Sequence, residues 1–105
     1  MSMERNVRSA GVSFLKKNIV YIKDNYNHIV NNKERFIDYL FRHQDGWYDS
    51  KPTGTAIRVN CTLRIIRDAE FEEAIEFINK TTKDSKKEYD FKLWVSREFI
   101  RYDHQ

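Results

Sequence analysis

The sequence predicts an α+β fold, a small sheet of two to three strands packed by two N-terminal helices and one crossover helix, in the order α-α-β-β-α-β. Three observations carry that prediction. Apolar residues recur at steps of three and four along residues 5–30 and again along 33–42, which is the stripe of an amphipathic helix. Ile57, Val59, Cys61, Leu63 and Ile65 alternate strictly with Arg58, Asn60, Thr62 and Arg64, the two-residue period of a strand with one buried face. An acidic, apolar-striped segment then separates that run from a second alternating one at Phe91, Leu93 and Val95.

In the first helix the stripe runs through Val7, Gly11, Phe14, Leu15, Ile19, Ile22, Tyr26, Ile29 and Val30. Asn18–Lys23 is rich in β-branched and aromatic residues that also suit a short strand, but the periodicity favours helix there. Asn31-Asn32 supplies a stop and a cap, and Lys33–Arg42 sets Phe36, Ile37, Leu40 and Phe41 at helical spacing. Asp45-Gly46 ends that helix. Trp47-Tyr48 begins an extended stretch that reaches the turn signal Ser50–Gly54, and the alternating strand occupies residues 55–66. Asp68 caps a third helix over 68–80, with Glu70, Glu72 and Glu73 near the positive end of its dipole. A polar linker leads to the second strand within 89–96, parallel to the first if helix 68–80 crosses between them.

The chain has 105 residues and reads as one domain. With 40% hydrophobic and 33% charged residues it has the composition of a folding chain rather than a disordered one. Fifteen aromatics are more than one small core needs, so some are expected to face outward. A single cysteine excludes an intramolecular disulfide and a cysteine-based zinc site, no apolar run is long enough to span a membrane, and the N-terminus lacks the apolar stretch of a signal peptide. A cytoplasmic location is the expectation. Charge is uneven: residues 1–67 carry twelve Lys/Arg against six Asp/Glu, whereas residues 68–105 carry seven against ten. That asymmetry suggests a basic surface for a polyanion or an acidic partner.

Catalytic spacing is not apparent, and the chain reads as a non-enzyme with no cofactor and no metal. Cys61, between Val59 and Leu63, reads as a small apolar core residue rather than an exposed thiolate. His43, Asp45 and Asp49 flank Gly46-Trp47-Tyr48 and could serve as base or ligands, but helix-end and turn chemistry is the preferred explanation. The binding candidates are of two kinds. Trp47, Tyr48 and Lys51 belong to the 46–55 loop; Arg58, Asn60 and Arg64 would lie beside Lys92 and Trp94 on an outward sheet face, extended by Arg97 and Arg101. Such a basic, aromatic platform suits single-stranded nucleic acid, unless the first two helices cover it and Trp94 is core.

Across residues 33–80 the succession of charged helix, Asp45-Gly46-Trp47-Tyr48, polar turn, alternating strand and acidic helix resembles small phage-encoded anti-CRISPR inhibitor proteins. The resemblance implies a class: a compact accessory protein without an active site that occupies a host machine. A non-catalytic inhibitor or adaptor that blocks a host protein or nucleoprotein complex is therefore the first expectation. Direct binding of RNA or single-stranded DNA is the second, and a small basic ribonuclease the third. No membrane is expected as a partner, and the amphipathic first helix leaves a homodimer open.

Overall fold

The computed structural model describes residues 3–43, 49–81 and Phe99. Over these residues the fold is all-helical, not α+β. Six helices follow one another: α1 (Met3–Ala10), α2 (Val12–Asp24), α3 (Tyr26–Asn31), α4 (Lys33–Arg42), α5 (Pro52–Arg67) and α6 (Phe71–Thr81), and no strand occurs among the described residues. The order α-α-β-β-α-β and its crossover are thus replaced by a helical bundle.

The decisive correction is residues 55–66, expected as a strand and found inside α5. Pro52 starts this helix, its fixed φ and missing N–H suiting the first turn. A strand would bury Ile57 together with Val59 and Leu63; instead Ile57 is 55% exposed, while Thr55 and Thr62 are fully buried. The helix therefore turns. Thr62 satisfies its hydroxyl within the helix by donating to the Arg58 carbonyl at 2.8 Å, which lets a β-branched polar residue sit inside. α5 touches all five other helices, so most of its circumference is covered and its apolar residues need not keep to one narrow stripe.

The expected first helix is three. Gly11, at φ +89°, breaks it between α1 and α2, and Asn25 breaks it again before α3. The Asn25 and Asn32 side chains each donate to a carbonyl four residues back, Tyr21 at 3.0 Å and His28 at 2.8 Å, which closes the preceding turn. Asn18–Lys23 is helical, and Lys33–Arg42 is helical as expected. Helix 68–80 is present as α6, but Asp68 closes α5 instead of capping α6. There Ala69 takes φ +57°, Glu70 N–H donates to Ile65 at 2.9 Å and Ala69 N–H to Ile66 at 3.1 Å, the paired bonds of a Schellman ending.

The core joins Phe14, Ile19 and Ile22 of α2, Phe36 and Leu40 of α4, Val59 and Ile65 of α5 and Ile78 of α6, all fully buried. Phe99 is buried with them, edge-on to Phe36 at 5.0 Å and tilted against Tyr39 at 5.4 Å. The strand expected within 89–96 lies outside the described residues.

Candidate functional site

Asn60, Arg64 and Arg67 are spaced i, i+4, i+7 on α5, which sets them on one helix face over about 10 Å of rise. Opposite them stand Tyr26 and Val30 of α3 and Lys33 at the start of α4. Together with Leu63 these residues line an open groove of about 280 Å³. Val30 is 43% exposed, and the part of Tyr26 that does not line the groove packs against the core. The accessible lining of the groove is thus mainly polar, with Val30, Leu63 and Tyr26 supplying a smaller apolar part.

Its charges are not equivalent. Arg67 donates to Asp68 through Nε at 2.9 Å and Nη2 at 3.3 Å. That hydrogen bond raises the guanidinium pKa and lowers the carboxyl's, but both side chains stand in solvent, where such a pair adds little stability. Asp68 offsets the charge of Arg67. Neither Lys33 nor Arg64 has a carboxylate within ion-pair distance among the described residues; Arg64 only approaches the Cys61 Sγ, at 3.8 Å. The excess positive charge of the groove therefore resides on Lys33 and Arg64.

Arg58, one and a half turns earlier on α5, has the opposite environment. Its Nε donates to both carboxylate oxygens of Asp49 at 3.1 and 3.2 Å, and its Nη1 donates to the Ala10 carbonyl at 2.7 Å. Thr55 donates to the same carboxylate at 2.9 Å, and the Asp49 side chain is only 9% exposed. This clamp ties the chain before α5, α5 itself and the α1–α2 break. Gly11 is required there, because a Cβ would lie 2.5 Å from Arg58 Nη1 and the positive φ disfavours any other residue.

Of the sequence candidates, the structure brings Asn60 and Arg64 together on the groove and places Arg58 in the clamp. Lys51 is exposed just before α5. Trp47, Tyr48, Lys92, Trp94, Arg97 and Arg101 lie outside the described residues, as does Asp45. His43 ends α4, its Nδ1–H donating to the Tyr39 carbonyl at 2.9 Å and its ring stacked on Tyr39 at 4.3 Å. Cys61 is buried, as its apolar flanks imply, although on a helix. Among the described residues no group of three or more His, Cys, Asp and Glu is placed to hold a metal ion, and no helix is long and apolar enough to cross a membrane.

Sequence reasoning missed Tyr26, Val30, Lys33 and Arg67. Tyr26 and Val30 were absorbed into the apolar stripe of the first helix. The signal that finds them is the repeat of i, i+4, i+7 in both 26/30/33 and 60/64/67, visible only once residues 55–66 are read as helix. No protein-family model matches the chain, and neither the curated proteins nor the solved structures yield a match.

Proposed function

We propose that this is a non-catalytic binding protein, a cytoplasmic inhibitor or adaptor of the phage-encoded type, which acts by docking its basic groove on an anionic surface of a host macromolecule. The observation that carries the reading is the convergence of Lys33 and Arg64, without carboxylate partners among the described residues, on one open groove that Tyr26, Val30 and Asn60 also line. Cations on a folded surface are usually interspersed with carboxylates, as Arg42 is with Asp38 at 2.9 Å. Here two helices present them together. The side chains around them, an amide, a phenol and two aliphatics, supply hydrogen bonds and contact area, which suits recognition.

Heparin, a general polyanion, provides the test. The protein should be retained on a heparin column at low salt and released by added salt, because displaced counterions drive such binding. Lys33→Glu/Arg64→Glu should elute early, while Lys51→Glu, exposed but away from the groove, should elute close to the parent. Equal retention of the parent and the double charge reversal would remove the groove from the account.

A further inference from the structure

We infer that the occupant of the groove is a single strand of RNA or DNA, its phosphates held by Lys33 and Arg64 and a base lying against Tyr26. The inference rests on the groove being the docking face and supplies the partner. Charge alone admits any polyanion; the aromatic ring and the amide beside the cations narrow the choice. Beside the cations the groove is lined by Val30, which is 43% exposed, the mostly buried Leu63 and the partly buried Tyr26. A run of acidic residues would satisfy the cations but offer no flat ring to Tyr26. A nucleotide chain alternates an anionic phosphate with a flat aromatic base, so one ligand meets both demands.

Asn60 adds to the argument. Its amide, one step from Arg64 on the same helix face, offers both donors and an acceptor to a base edge. A duplex keeps the faces of its bases stacked inside and would offer none of them to Tyr26. A single strand can turn a base inward. The α5 face spans about 10 Å, which a stacked strand crosses in about three nucleotides, so the footprint is short.

The test is fluorescence anisotropy of the full chain with end-labelled oligothymidylate and oligouridylate, alongside a duplex of equal length and a labelled polyglutamate peptide. The single strands are expected to bind, with a salt slope of about −1.4 for two phosphate contacts. Tyr26→Leu should weaken binding about 5- to 150-fold, the range for loss of one stacked base, and leave the salt slope unchanged. Because part of Tyr26 packs on the core, Val30→Glu provides a second reading at an exposed position, and it should weaken binding at least tenfold. Parent-like binding by either folded variant would overturn the inference. Binding of polyglutamate as tight as that of the oligonucleotides, lost in Lys33→Gln/Arg64→Gln, would overturn the nucleic-acid occupant and leave the groove as a docking face for an acidic protein. Binding of neither polyanion would overturn both.

Discussion

Arg58 and Arg64 stand six residues apart on the same helix, yet one is bound into the fold and the other faces a groove. Arg58 is surrounded by acceptors that the rest of the chain supplies, the Asp49 carboxylate and the Ala10 carbonyl. Arg64 has no carboxylate partner among the described residues. What an arginine does is decided by which acceptors the fold has already brought to it, and a basic residue in an alternating run carries no mark of that difference. The clamp side of α5 ties three parts of the chain together, and the groove side holds cations without carboxylate partners among the described residues.

The comparison can be broken most forcefully at Gly11. Gly11→Ala imposes a left-handed φ on a residue with a Cβ and drives that Cβ into the Arg58 guanidinium, costing about 3 kcal/mol of stability. Chemical denaturation should show it as a lowered midpoint; a variant as stable as the parent would mean that the clamp does not hold the α1–α2 break.

Lysines sharpen the same contrast. Lys16 on α2 is 3% exposed, and desolvation lowers its ammonium pKa from 10.5 to about 8, whereas Lys33 on the groove is exposed. Between those two values the unfolded chain holds a proton at Lys16 that the folded chain has released. Stability attributable to Lys16 therefore rises as pH climbs from about 8 to 10.5, by at most about 3–4 kcal/mol, and the full cost of burying the charge is present below pH 8. The difference in unfolding free energy between the parent and Lys16→Met should follow that course, and a difference that does not change with pH would contradict it. A smaller effect is expected at the end of α5. Ala69→Gly relieves a left-handed alanine in the Schellman ending and should stabilise the fold by about 0.5–1 kcal/mol, read as a raised melting temperature.

The same division explains which parts of the molecule were legible in the sequence. α4 was readable because Phe36, Ile37, Leu40 and Phe41 lie on one stripe of a helix whose other face is polar, and α6 for the same reason. The first helix was readable as helix but not as three, since Gly11 fits an apolar stripe as a small residue and only its φ reveals the break. α5 was misread. A helix packed by five neighbours buries Val59, Cys61, Thr62 and Ile65 around most of its circumference, and the chance alternation from Ile57 to Ile65 then looks like a strand. The error carried into the site. Arg58, Asn60 and Arg64 were assigned to one face by a period of two, whereas the helix turns Arg58 toward Ala10 and Asp49 and leaves Asn60 and Arg64 beside Tyr26, Val30 and Lys33. Asn60 and Arg64 of the groove were thus in view, whereas Arg67 and the residues contributed by α3 and α4 were not.

The measurement that tests the division most directly is a crossed comparison of Arg58→Gln and Arg64→Gln, each assayed for thermal unfolding and, below its melting temperature, for binding of a labelled single-stranded oligonucleotide across a salt series. The clamp and the groove predict opposite outcomes. Arg58→Gln should melt several degrees lower and, while folded, bind with the parent's salt slope; Arg64→Gln should melt with the parent and lose about 0.7 from that slope. Loss of binding in folded Arg58→Gln, or parent-like binding in Arg64→Gln, would contradict the assignment of α5's two faces.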